Sequence, residues 1–142
     1  MIQEQKDLLL KDLCARLPYG VKVAFLNEDL THHSEPKALI RIECINNLNY
    51  SRLEDEDGNT TIVEFVKPYL FPLSSMTDEQ IYQSPFGYAT MDTIRQGDIW
   101  STITIGCKEY ADIVDWLNKN HFDYRGLIPM GLAIDATGLN IY

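Results

Sequence analysis

His32, His33 and Glu35 are the first residues along the chain whose types could do chemistry: two imidazoles and a carboxylate within four positions. Such donors bind metals, but adjacent histidines point apart in an extended chain, and neither H-x-x-H nor H-E-x-x-H spacing occurs. The stretch reads as a solvated loop. Glu54-Asp55-Glu56-Asp57 places four acids before Gly58-Asn59. Aligned to a calcium loop, it puts Thr60 where glycine is needed and Val66 where the bidentate glutamate belongs, so the alignment fails. A solvent-exposed hairpin tip without metal is the reading. Cys107 and His121 are a thiol and a base at opposite ends of one predicted helix, about 20 Å apart by helix rise. Gly126 and Gly131 have phosphate-loop spacing, but Leu132 stands where the lysine belongs, and the nucleophile-elbow and dinucleotide glycine patterns are absent. No catalytic, cofactor-binding or metal-ligating residue is assigned, and no cofactor is expected.

One stretch keeps a dense mix of aromatic and ionisable groups: His121, Phe122, Asp123, Tyr124 and Arg125. These five are the candidate interaction residues, a contact surface for a protein partner. The structural alternative places His121 on the helix face of Tyr110, Val114 and Leu117 as a core histidine with its hydrogen bonds met. In that alternative an aromatic side chain anchors in the core, Asp123 caps a further turn, and Asp123 and Arg125 pair with each other or nearby backbone.

The elements that must position these groups follow from periodicity. Residues 3–17 predict an amphipathic helix with Leu9, Leu10, Leu13, Cys14 and Leu17 on one face and Asp7, Lys11 and Asp12 away from it, stopped by Pro18 and Gly20. Val21, Val23 and Phe25 alternate as a first strand. Residues 37–45 predict a second, with Ala38, Ile40, Ile42 and Cys44 inward. Asn46, Asn47 and Asn49 suggest a turn, residues 50–54 a third strand, and Asp57-Gly58 a hairpin into residues 61–66. Pro68 and Pro72 are expected to interrupt that last strand, in a crossing apolar enough to lie on the sheet. Thr77 and Gln80 then have capping-box spacing. Residues 84–99 give no clear element. Residues 100–105, WSTITI, suit a fifth strand or the ramp into a helix. Residues 108–120 predict a helix with Tyr110, Ile113, Val114 and Leu117 on its apolar face. Leu132, Ala133 and Ile134 read as buried, with Ile141 and Tyr142 tying down the tail.

The expected architecture is one α+β domain over residues 1–142. It comprises an N-terminal helix (1–20), a small curled antiparallel sheet (21–67) analogous in strand number to an SH3-like barrel, and a mixed, mainly helical part (68–142). With 142 residues, 45% of them hydrophobic, the chain supports one core. The net charge of −9 is unevenly placed: residues 1–53 hold seven basic and seven acidic side chains, residues 54–142 five and fourteen. That disfavours a large phosphate-binding face. Three widely spaced cysteines, Cys14, Cys44 and Cys107, predict unpaired thiols acting as small hydrophobes in a reducing, cytoplasmic compartment. No apolar run approaches a membrane span, and the charged start of the chain does not read as a signal peptide.

KDLCARLPYGVKV (residues 11–23), VKPYLFPLSSMT (66–77) and WLNKNHFDYRGLIPMGLAI (116–134) resemble a family of short uncharacterised proteins from gut Bacteroidetes genomes and their phages or mobile elements. The resemblance implies a source and a compartment and carries over no catalytic residue. The function expected from all this is that of a small cytosolic accessory protein acting through a protein partner. The alternatives are a nucleic-acid-associated protein using Lys22, Lys37, Arg41 and Arg52, a DNA-mimic inhibitor using the acidic half, and a small hydrolase or transferase with a site assembled from distant residues.

Overall fold

The computed structural model describes residues 1–31, 33–45, 50–98 and 107–142. It is an α+β fold. Helix α1 (Gln3–Arg16) leads into seven strands, β1 (Lys22–Phe25), β2 (Lys37–Ile45), β3 (Tyr50–Asp55), β4 (Thr60–Ile62), β5 (Val66–Pro72), β6 (Phe122–Asp123) and β7 (Ile134–Asp135). Helices α2 (Asp78–Gln83), α3 (Tyr88–Arg95) and α4 (Cys107–Lys119) lie between β5 and β6. The strand order is β4-β3-β2-β1-β5-β6, with β7 also on β5. The turn expected at Asn46, Asn47 and Asn49, the strand expected at residues 100–105, and His32 lie outside the described residues.

Two expectations about the sheet are corrected. It is open and mixed rather than barrel-like: β1 to β5 pair antiparallel as expected, and β5 also takes β7 in parallel on the edge away from β1 and β6 in parallel beyond the end of β1. It also extends past residue 67, because the prolines do not break β5. Leu26 donates to the Phe65 carbonyl at 2.8 Å, and Pro68 faces Val23 in the β1 register. Alternation along an antiparallel ladder then puts Pro68 in a position that owes β1 no N–H bond. Val66, Pro68, Tyr69 and Leu70 are all buried, as befits a strand covered on both faces. The continuous strand expected over 61–66 is instead cut by a 3-10 turn at Val63–Phe65.

On one face, Leu9 and Leu13 of α1 meet Val21, Val23, Leu39, Leu53, Val66 and Leu70. On the other, Tyr69 and Ala24 meet Ala136, Ile134 and Ile141. A third cluster joins Ile81, Met91, Ile94, Ile113 and Leu117 to Phe122. Helix α4 forms as its periodicity predicts. Helix α3 was not legible, because Ser84, Pro85 and Gly87 look like breakers; Gly87 in fact sits at its N-cap.

Two face assignments change for local reasons. The register of β2 on β3 shifts between Leu39 and Arg41. Such a bulge adds a residue to the alternation, so Leu39 and Ile42 both turn to the core while Ile40 is 53% exposed. Cys44, expected inward, is exposed, and so is Cys14. Both are free thiols but not the buried hydrophobes expected; partial burial and the neighbouring Cys44 push the Cys14 thiol pKa up. The acidic hairpin also departs from a simple exposed tip. Asp55 is buried, its carboxylate accepting the Asp57 and Asn59 N–H groups at 3.0 Å each, and Gly58 takes the left-handed φ of 83° that closes the turn.

The capping box at α2 forms as the spacing requires: Gln80 N donates to Thr77 Oγ1 at 3.2 Å, and Thr77 N donates to Gln80 Oε1 at 2.8 Å. Thr77→Ala is expected to cost about 1 kcal/mol, measured by urea denaturation; an unchanged midpoint would show that the cap contributes nothing.

Candidate functional site

Asp12 and Arg16 lie four residues apart, one turn along α1, where opposite charges meet. Both side chains are 0% exposed. Arg16 Nε donates to Asp12 Oδ2 at 2.9 Å, and Arg16 Nη2 donates to Asp12 Oδ1 at 3.1 Å and to the Phe122 carbonyl at 2.7 Å. Arg125 Nη1 adds a further bond to Asp12 Oδ1 at 2.9 Å. One carboxylate thus holds two guanidiniums, and the Tyr124 ring lies against both, with centroid distances of 5.5 Å to Arg16 and 4.6 Å to Arg125. The electron-rich face of the ring suits that surplus positive charge.

This cluster fixes where the five candidate interaction residues go. His121 turns the chain at φ 61°, and its carbonyl accepts the Phe71 N–H at 2.8 Å. Its ring is buried and stacks on Tyr142 at 3.8 Å. Phe122 enters the helical cluster, stacked on Trp116 at 5.8 Å. Asp123 is buried and accepts from Leu127 N and Ile128 N at 2.8 Å each, which ties down a turn over 127–130 rather than capping a helix. Tyr124 and Arg125 are half-buried. Arg125 does not pair with Asp123 as the local reading supposed; its partner is Asp12, 113 residues earlier. Nor is His121 satisfied: among the described residues Nδ1 has no hydrogen-bond partner, and Arg16 Nη1 is likewise buried without one. Burial, and then the Arg16 charge, push the His121 imidazole down to about 4.

Two depressions carry side chains suited to binding. The first, about 690 Å³, lies between the turn after α1 and the helices. Tyr19, Phe86 and Trp116 supply its aromatic surface, with Trp116 edge-on to Phe86 at 6.4 Å. Glu109, Asp112 and Asp115 rim it, against Lys108 and Lys119. Lys108 is held by Asp112 at 2.7 Å, whereas Glu109 and Asp115 have no ion-pair partner among the described residues. The second, about 550 Å³, lies on the sheet face that carries Tyr69. Sequence reasoning missed both, because each is assembled from segments far apart in the chain.

Of the four basic side chains considered for nucleic acid, two are held in ion pairs, and Lys22 and Arg52 have none among the described residues. Arg41 pairs with Glu43 and Glu54, Lys37 with Asp57 at 2.9 Å, and Arg52 sits opposite Glu43 in the ladder. Among the described residues no three His, Cys, Asp or Glu side chains converge as a metal site, and no helix is long and apolar enough to cross a membrane.

Two measurements test the buried cluster. Asp12→Asn leaves two guanidiniums without their counter-charge and is expected to lose roughly 3–5 kcal/mol of stability. Arg125→Ala, which keeps the Asp12–Arg16 pair, should lose about 1–3 kcal/mol. Denaturation of both variants checks the order; equal, small losses would contradict it. The second test is pH. The unfolded imidazole binds a proton from its ordinary 6.5 downward, but the folded one does so only near 4. The stability from keeping His121 neutral is therefore full above pH 6.5 and is lost as pH falls toward 4. His121→Asn tolerates the left-handed backbone and should flatten the slope of stability between those limits; an unchanged slope would place the titration elsewhere.

Compared with family models, curated proteins and solved structures, the chain finds no match.

Proposed function

We propose that this chain is a small cytosolic accessory protein that works by binding a protein partner, and that the partner presents a basic segment to the Trp116 groove. The observation that carries this reading is the groove itself. Three aromatic side chains from three separate parts of the chain, Tyr19, Phe86 and Trp116, are gathered beside carboxylates of which Glu109 and Asp115 have no ion-pair partner among the described residues. Aromatic faces and unpaired carboxylates together favour arginine or lysine side chains with apolar neighbours. The acidic balance of residues 54–142 supports attraction of such a segment over distance. An origin in a phage or mobile element of gut Bacteroidetes rests on the resemblance of three segments and is part of the same proposal.

The test uses labelled peptides of equal length, one rich in arginine and leucine, the other in glutamate and leucine, followed by fluorescence anisotropy. The basic peptide should bind saturably. Glu109→Gln with Asp115→Asn, both on the exposed side of α4, should weaken it ~tenfold without moving the melting temperature. Trp116→Ala should weaken it further, with some loss of stability because Trp116 stacks on Phe122. Equal binding of the acidic peptide, or indifference to the paired carboxylate variant, would overturn the reading.

A further inference from the structure

Two exposed thiols, Cys14 and Cys44, come from elements that pack on each other. Cys14 lies on α1, four residues after Leu10 and three before Leu17, so the three share one helix face. Leu10 and Leu17 are partly buried against the cluster that Leu9 and Leu13 build with Leu39, Leu53 and Leu70. Cys44 lies on β2, two residues after Ile42. The pairing of β2 with β3 runs without a shift from Arg41 to Ile45, so Ile42 and Cys44 share one strand face. Ile42 packs against the same cluster as Leu10 and Leu17. The helix face and the strand face therefore meet over one core, and each carries a thiol where that core gives way to solvent.

The closeness of the two sulfurs has an electrostatic consequence. Burial, and then the Cys44 charge, push the Cys14 thiol pKa up. Repulsion of this kind fades with distance and is screened by water and salt, so it is felt between near neighbours. Both causes favour the neutral thiol, so Cys14 rests protonated near neutral pH.

The part of β2 that carries Cys44 is held from one side. Strand β1 pairs with β2 at Lys37 and Ala38. Beyond the register shift, Arg41 to Ile45 pair with β3, and among the described residues no strand pairs with their other edge. Few cross-strand bonds on one edge make such a segment the kind that opens locally. Helix α1 is the opposite case. The buried Asp12–Arg16 pair brackets Cys14 and ties the helix to the Phe122 carbonyl. A covalent link between the two thiols would fasten the less supported element to the anchored one.

We propose that Cys14 and Cys44 form a reversible redox clasp, which a small disulfide oxidant of the glutathione class closes into one intramolecular disulfide joining α1 to the outer half of the β2–β3 hairpin. One cysteine thiolate attacks a sulfur of the oxidant, the oxidant's S–S bond breaks, and one glutathione leaves as its thiolate. The second cysteine thiolate then displaces the other glutathione from the mixed disulfide. Two cysteine thiols are oxidised and one glutathione disulfide is reduced to two thiols. The two protons lost by the cysteines end on the two released glutathiones. The clasp is separate from the Trp116 groove and stands or falls independently of it.

The full chain is equilibrated with mixtures of reduced and oxidised glutathione at mildly alkaline pH, quenched with iodoacetamide and digested for peptide mass spectrometry. Melts are run on the same samples with and without dithiothreitol. A linked peptide joining Cys14 to Cys44 should be the main oxidised species of the monomer. Its melting temperature should rise by several degrees and return on reduction. Closure should be ~tenfold or more favourable in the folded chain than in urea, because packing already holds the thiols together. Cys14→Ser and Cys44→Ser change exposed positions. Each should leave a mixed glutathione disulfide at the remaining cysteine, with no rise in melting temperature. Mixed disulfides at both cysteines without closure, a main bond to Cys107 or to a second molecule, or a closed form that melts no higher than the reduced one would each overturn the assignment.

Discussion

The Asp12 carboxylate is the point on which the arrangement of this chain depends. It lies in the interior with Arg16 and draws Arg125 onto the same oxygen. Removing these charges from water is expensive, and further hydrogen bonds offset the cost although Arg16 Nη1 has no partner among the described residues. Arg16 therefore also takes the Phe122 carbonyl, and the Tyr124 ring covers the two cations. Those contacts tie α1 to the segment that follows α4, although more than a hundred residues separate them. The chain turn at His121, the short strand β6 and the Asp123 hydrogen bonds all lie in that tied segment.

Strand β5 is the second organising element, and it depends on the first. One edge pairs antiparallel with β1 and, beyond the end of β1, parallel with β6; the other edge receives β7 in parallel. Strand β6 lies in the segment that the buried charges anchor, and β7 follows it in the chain. The sheet thus has two covered faces. Helix α1 and its leucines cover one; residues 134–142 cover the other, with the Tyr142 hydroxyl bonded to the Tyr69 carbonyl and accepting the Lys22 N–H at 2.9 Å. The second face is covered incompletely, and the cavity beside Tyr69 is what remains.

Function divides along the same lines. The stretch richest in chemistry by sequence, His121 to Arg125, spends most of its polar groups on the fold: on Asp12, on the Leu127 and Ile128 amides, and on β5. The side chains left with unmet capacity at a surface are less conspicuous ones. Glu109 and Asp115 lie beside Trp116, and Glu35 lines the second cavity with His33, Ser34 and Tyr69. A dense motif in a sequence marks a demand for interactions, and here much of that demand is met internally.

The sequence by itself determined what local physics controls. Helical periodicity placed α1 and α4, the Thr77–Gln80 spacing placed the start of α2, and Asp57-Gly58 closed the hairpin, because each depends on residues a few positions apart. It misassigned what cancels or shifts at a distance. Asp12 read as lying away from the apolar face of α1 because hydropathy counts charges singly, whereas a carboxylate paired with Arg16 and Arg125 can be taken inside. The bulge after Leu39 inverted an alternation that looked regular, and α3 was hidden behind residues that resemble breakers. Parallel pairing of β6 and β7 on β5, and both cavities, needed segments brought together from far along the chain. Only the tertiary structure decided these, since nothing in a local window records which distant backbone edge or carboxylate a residue will meet.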